Sequence, residues 1–310
     1  MSGPHIYWIW CQEAFGPGSP LPLYIHENFP GGVPGFAQAG PVAWRSLPYL
    51  SPRHVQALRR FTLSQAQSRL QQALSFGWQV LVPESPGYPP ALRHTANPPA
   101  VLYVQGCWPA FSAPAVAVAG ARKPLPASQK AACKISYQLA AGGATLVSGS
   151  AAGVDACALA AALRAGGQVV SVLPVDLHSP YPTATRPLRR RIISRGGALV
   201  TEHFSQRAPV PGAFHWRNRI VTGLSQAVVL VQADIHSGTM IYATCAADQG
   251  RDVYVYPGPA GSPAFAGSRL LLEDGARPAE TGLAVLRDLP AYCRGGSHTR
   301  YLYPLPGRSP

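Results

Sequence analysis

"AVAVAGARKPLPAS", residues 115–128, holds five small apolar residues, a glycine at 120, and then Arg122 and Lys123. An unbroken apolar run feeding a glycine turn reads as a strand buried on both faces that hands over to a helix. Turns of this kind present free backbone N–H groups to a phosphate. Here the mouth of the turn also carries a guanidinium and an ammonium, so the stretch predicts a parallel-sheet fold and an anion site together.

Working outward, the same rhythm recurs. "WQVLV", "AVLYV", "ATLVSG", "QVVSVL", "GALVT", "AVVLVQA" and "DVYVYPG" are short β-rich runs, and they alternate with helical segments near 126–142, 153–166, 184–195 and 237–249. The fold class this implies is α/β, a doubly wound, mostly parallel sheet covered by helices. Ligands of such sheets sit at the carboxyl ends of the strands, beside a topological switch point.

Two further strand ends match the first. "SGSAAGVD" opens with Gly149 and Gly153 and sets Asp155 to cap a helix, and "DIHSGTMIYA" starts a helix at Ser237, Gly238 and Thr239. Amides at Gly120, Gly149 and Gly238 are therefore expected to complete one anion cradle. No turn fits the phosphate loop of nucleotide triphosphatases. The dinucleotide fingerprint and its ribose-binding acidic residue are missing too, which disfavours a nicotinamide enzyme.

The charge balance points the same way. Lys and Arg number 26 against 13 Asp and Glu, a formal +13 carried mostly by arginine. Such a surplus favours a polyanionic partner, and arginine suits bidentate grip on phosphate, although GC-rich coding also enriches arginine. Arg122 and Lys123 are the first phosphate candidates. "HWRNRIVTGLS" places Arg217 and Arg219 around Asn218, ahead of another helical turn. In "TRPLRRRIISR" Arg186 is favoured as a contact, whereas Arg191 and Arg195 read as a solvated helix face.

Other features carry less chemistry. Six scattered cysteines without a C-x-x-C pair suggest reduced, mostly buried thiols in a cytoplasmic protein rather than zinc or disulfides. Nine histidines form no metal-like group, and His215 and Glu202 read as structural, so no catalytic residue, metal or cofactor is expected. No apolar run is long enough for a membrane span, and the N-terminus lacks the features of a signal peptide. Residues 1–75 are rich in Pro and Gly, with helical periodicity clearest in "SPRHVQALRRFTLSQAQSRLQQALSFG", and read as a small helical domain.

Taken in order, "VAVAGARKP", "LVSGSAAGVDA", "VLPVDLHSPYP", "GGALVTEHF", "HWRNRIVTGLSQAVVLVQA", "HSGTMIYA", "DQGRDVYVYPG" and "GSRLLLEDGA" resemble the DNA processing protein A (DprA/Smf) family over roughly residues 79–280. The resemblance implies a small helical domain at 1–75, akin to sterile-alpha-motif or helix-hairpin-helix modules. It implies a Rossmann-like DNA-binding domain at 76–288, followed by an irregular tail at 289–310 in place of the winged helix of many members. It also implies a homodimer that binds single-stranded DNA and loads RecA recombinase on incoming strands during natural transformation. The chain departs from the family pattern at Ala121, at Ala152 (an arginine in the family), at Leu159 (a histidine) and at Thr185 (an asparagine). On this reading Phe214, Trp216 and Tyr242 are the aromatics on which bases could stack.

Two rival functions arise from the same residues. Phosphoribohydrolases of related fold cleave nucleoside monophosphates with a glutamate in a glycine-rich signature, but Tyr242 stands at the corresponding place in "HSGTMIYA". The other rival is an interaction protein whose DNA pocket has decayed.

Overall fold

The computed structural model describes residues 3–289, so most of the expected tail, and Cys293 with it, lies outside the described residues. Five helices come first: α1 (Gly3–Phe15), α2 (Leu21–Asn28), α3 (Gly32–Arg45), α4 (Pro52–Arg60) and α5 (Leu63–Ser75). The last two begin with reciprocal caps, Ser51 with His54 and Thr62 with Gln65. The first three were hidden by their prolines and glycines. Proline occupies the first turn of α2, where its missing N–H costs nothing, and a Gly40–Pro41 kink interrupts α3.

These helices share a core with the β-rich part of the chain. Trp8, Trp10, Phe36 and Trp44 belong to one buried apolar cluster with Trp78, Tyr103 and Val116. Gln12 on α1 adds a polar tie: its Nε2 donates to the Glu202 carbonyl at 2.7 Å, and its Oε1 accepts from the Val101 N–H at 2.8 Å.

After α5 the chain alternates as expected. In order come β1 (Gln79–Leu81), α6 (Pro90–Arg93), β2 (Leu102–Gly106), β3 (Ala115–Gly120), α7 (Pro126–Ala141), β4 (Thr145–Ser148), α8 (Val154–Arg164) and β5 (Val169–Val172). Next are α9 (Arg186–Ser194), β6 (Ala198–Thr201), α10 (Ala213–Gly223), β7 (Ala227–Val231), α11 (Gly238–Asp248), β8 (Asp252–Tyr256), α12 (Ala266–Glu273), β9 (Arg277–Pro278) and α13 (Gly282–Asp288).

The strands form one sheet in the order β1-β2-β6-β5-β4-β3-β7-β8-β9. Neighbours from β6 to β9 run parallel, and only β2 pairs antiparallel, with β1 and with β6. From β3 the chain winds outward through β4, β5 and β6, then crosses back to continue through β7, β8 and β9. The Rossmann-like doubly wound sheet therefore has its switch point between β3 and β7.

Side chains of β3 divide by parity between the two faces, as the pleat requires. Val116 and Val118 pack with Ile135, Leu139 and Leu159 of α7 and α8. Ala115, Ala117 and Ala119 pack with Ile220 and Val221 of α10 and with Tyr242 and Ala246 of α11. Leu159 is fully buried in this layer, so at the family's histidine position an apolar side chain serves the core instead.

Two expectations need correction. The segment "HWRNRIVTGLS" is not a stretch ahead of a helix; most of it is α10 itself. Of the five described cysteines, all free, only Cys11 and Cys245 are buried and Cys107 is exposed. Among the described residues no helix is long and apolar enough to cross a membrane.

Candidate nucleic-acid interface

Backbone crowding shapes the switch point. A Cβ on Gly120 would run into the Val231 carbonyl of the neighbouring strand, so only glycine lets β3 and β7 end side by side. The turn beyond is held from both flanks. Ala121 donates to the Val231 carbonyl at 3.4 Å, and Val154, at the start of α8, donates to the Ala121 carbonyl at 3.1 Å. Gly153 has φ +85°, and a Cβ there would press on the Ala121 and Arg122 carbonyls. Leu125 donates to Gln232 Oε1 at 2.8 Å, closing the far end of the loop. Between these ties Arg122 and Lys123 stand exposed.

A second cation arrives from α10. At 100° per residue, positions 217 and 219 lie about 200° apart around a helix, so they serve opposite sides. Arg217 turns toward the sheet ends. Its Nη1 occupies the space a Cβ on Gly149 would need, so the glycine makes room for the guanidinium. Asp155 Oδ2 lies 3.8 Å from Arg217 Nη1, with the two side chains 4% and 3% exposed. Asp155 is therefore a counter-ion, not the expected cap; α8 is capped by Gly153, while Asp155 Oδ2 accepts from the Ala151 N–H at 3.3 Å. Burial holds the Asp155 carboxyl above its ordinary range, and Arg217 opposes that shift.

The pocket is under-satisfied. Arg217 Nε and Nη1, Asn218 Oδ1 and the Tyr242 hydroxyl are all buried without a hydrogen-bond partner. Leaving a buried donor idle costs about 1–3 kcal/mol, and more for a charged group. An anion at this spot would satisfy the Arg217 and Tyr242 donors, whereas Asn218 Oδ1 is an acceptor and calls for a donor instead. Arg122 closes the same space: its guanidinium sits 4.5 Å from the Phe214 ring centre, and that of Arg217 sits 6.0 Å from the same ring. Two guanidinium groups thus gather around one aromatic ring at the crest of the sheet.

Of the three candidate stacking aromatics, Phe214 alone is half-buried beside both arginines. Tyr242 is buried as a wall 5.8 Å from the Arg217 guanidinium. Trp216 packs against Gly18 and Gly212, away from the notch.

The remaining predicted residues divide. Arg219 does not join the notch, a correction to the expected cluster. Its Nη2 pairs with Glu202 Oε1 at 2.5 Å and its Nη1 donates to the Asn97 carbonyl at 2.5 Å. Glu202, expected to be structural, is the buried partner in that pair, its carboxyl raised by burial against the pull of Arg219. Asn218 is buried one residue from Arg217.

Arg186 is exposed at the first residue of α9, directly after Thr185, whose hydroxyl donates to the Ser150 carbonyl at 2.8 Å. That bond sets Arg186 beside the loop carrying Gly149 and gives the Thr185 departure a structural role. Ser237 stands at the cap position of α11, but its hydroxyl donates to the Asp234 carbonyl at 2.7 Å. Thr239 is buried, and Gly238 is exposed with nothing near a potential Cβ, so crowding does not require glycine there. Ala152 is exposed on the loop after β4. Among the described residues no three His, Cys, Asp or Glu are grouped to hold a metal ion.

Comparison with known proteins gives the family of the chain. The family model DNA recombination-mediator protein A matches residues 79–290. Protein Smf of Escherichia coli is 36% identical over 197 residues, a match covering 63% of this chain and 53% of that protein. The DNA processing protein DprA of Bacillus subtilis is 30% identical, over 66% of this chain and 68% of the relative. The chain thus matches little more than half the length of the first relative. Among solved structures, DNA processing protein A of Streptococcus pneumoniae superposes with a TM-score of 0.79 at 23% identity, covering 93% of this chain and 99% of the other. The protein of the same name from Helicobacter pylori, solved for insight into its single-stranded DNA binding mode, gives 0.60 at 30% identity, covering 68% and 95%.

Proposed function

Because the chain belongs to the DNA recombination-mediator protein A family, we propose that it binds single-stranded DNA by gripping backbone phosphates in the switch-point notch. One observation carries this reading: Arg217 is buried with two N–H-bearing nitrogens unpartnered, while exposed Arg122 leans over the neighbouring ring. A diester phosphate fits between them, held by charge-assisted hydrogen bonds. Phe214 would offer a ring face to an unpaired base when Arg122 turns to the phosphate. A duplex keeps its bases stacked inside and cannot use that ring, so the notch favours single strands. The single-strand binding of the Helicobacter pylori relative supports the assignment.

On this reading the protein acts by binding, not by catalysis. The rival phosphoribohydrolase chemistry needs a carboxylate near the sugar, and the position of its glutamate is taken by the buried Tyr242. Asp155, the carboxylate that reaches the notch, is engaged with Arg217. Family membership further supports a homodimer that passes strands to RecA recombinase in transformation or recombination.

Titration of labelled single-stranded and double-stranded oligonucleotides across salt tests the proposal. Single strands should bind more tightly, with log K falling linearly in log salt at about −0.7 per phosphate neutralised. Equal affinity for both forms, or affinity insensitive to salt, would sink it. Release of free base from nucleoside monophosphates at catalytic rates would favour the enzyme instead.

A further inference from the structure

A second buried arginine has no use in the notch. Arg189, on α9, is 4% exposed, and its Nε and Nη2 find no hydrogen-bond partner. Among the described residues it lies within ion-pair distance of no carboxylate. The carboxylate whose field reaches it is Asp176, and that residue spends Oδ1 on the His178 N–H at 2.8 Å.

The neighbour makes matters worse. Arg186 lies one turn earlier, at the i, i+3 spacing that puts two side chains on one helix face. Helical side chains lean toward the N-terminus, so Arg189 reaches back to the turn where Arg186 begins α9. The two like charges oppose each other, and burial and Arg186 both weaken the hold of Arg189 on its proton. The first turn of α9 adds the positive end of its dipole. A buried guanidinium with idle donors, a like-charged neighbour and no ion pair is an arrangement that an external anion would satisfy.

Position says which anion. Thr185, immediately before α9, donates to the Ser150 carbonyl, so this turn adjoins the loop that carries Gly149 and flanks Arg217. We propose that Arg189 and Arg186 form a second phosphate subsite, which takes a further backbone phosphate of the strand held in the notch. The inference rests on the single-strand reading and extends its path from β3 toward α9.

The test compares the full chain with Arg189→Met, which keeps bulk and removes charge, and Arg186→Gln, an exposed change that leaves the core untouched. Each is titrated by fluorescence anisotropy with a single-stranded oligonucleotide of about 15 nucleotides across salt, within the usual single-strand site size. Each variant should flatten the salt slope by about 0.7 and weaken binding several-fold. A trinucleotide, short enough for the notch alone, should bind parent and variants equally.

Parent slopes in both variants would overturn the subsite. If Arg217→Gln abolishes binding while the α9 variants match the parent, the notch stands and the subsite falls. If the parent binds no strand, the notch reading falls and the subsite with it. Thermal stabilisation by inorganic phosphate that vanishes in Arg189→Met, with the oligonucleotide slope unchanged, would assign the site to free phosphate and overturn the strand assignment.

Discussion

Arg217 and Asp155 lie 3.8 Å apart with both side chains almost wholly buried, yet the arginine keeps two nitrogens without a hydrogen bond. The carboxylate balances the charge without exhausting the donors. Breaking a buried pair costs about 3–5 kcal/mol because it strands the survivor, so Asp155→Asn and Arg217→Gln should both lower the melting temperature. Their effects on DNA should diverge. Arg217→Gln should lose single-strand affinity, whereas Asp155→Asn should keep or tighten it, because phosphate then faces less repulsion. Loss of binding in both variants would mean that the carboxylate sets the geometry of the guanidinium.

Gly149→Ala tests the same residue from the other side. The added methyl falls where Arg217 Nη1 now sits, and it must push the guanidinium out of the notch. Single-strand affinity should drop about tenfold or more, equivalent to at least ~1.4 kcal/mol. An unchanged anisotropy titration would show that Arg217 need not occupy its present position to bind.

Arg122 is exposed, so its removal leaves the fold alone. Arg122→Ala should flatten the salt slope by about 0.7 and weaken all sequences alike, because a phosphate contact carries no base information. A change in sequence preference with an intact slope would place Arg122 on a base.

Arg219 supplies the contrast. Its charge is spent on Glu202 and the Asn97 carbonyl, so Arg219→Gln should cost about 3–5 kcal/mol of stability and leave the salt slope of the folded protein at the parent value. Chemical denaturation beside the oligonucleotide titration separates the two effects. A flattened slope would bring Arg219 back into the interface.

Acid should expose the neighbouring histidine. Burial, helped by the Arg219 charge, pushes His203 down to about 4 from an ordinary 6.5. Below the unfolded value the unfolded chain binds a proton that the folded chain refuses, so stability falls as pH drops from about 6.5 toward 4. The loss approaches ~3 kcal/mol at the lower end. His203→Gln should flatten this part of the pH–stability curve relative to the parent. Parallel curves would show that the folded protein protonates His203 normally.

The sheet was legible because its strands are continuous apolar runs, and such runs mark a parallel sheet whatever surrounds them. The turns at Gly120 and Gly149 were legible as glycines at strand ends, but the reasons differ: at Gly120 the Val231 carbonyl leaves no room for a Cβ, and at Gly149 the Arg217 guanidinium fills that space. The first three helices were not, because Pro and Gly signal loops locally; only packing around Trp8, Trp10 and Phe36 shows those residues at helix starts and a kink.

Charge is where local pattern ran out. "RNR" and "RPLRRR" read alike as basic surface, and residue type cannot tell a guanidinium paired with a distant carboxylate from one left idle. Spacing along the chain set the strands, helices and glycine turns through short-range sterics. Direction and partnership came from contacts between residues far apart in sequence: Arg217 with Gly149 and Asp155, Arg219 with Glu202 and Asn97, Arg189 with no ion-pair partner among the described residues. Electrostatic energy depends on distance and burial, and both exist only once the sheet has closed its two faces.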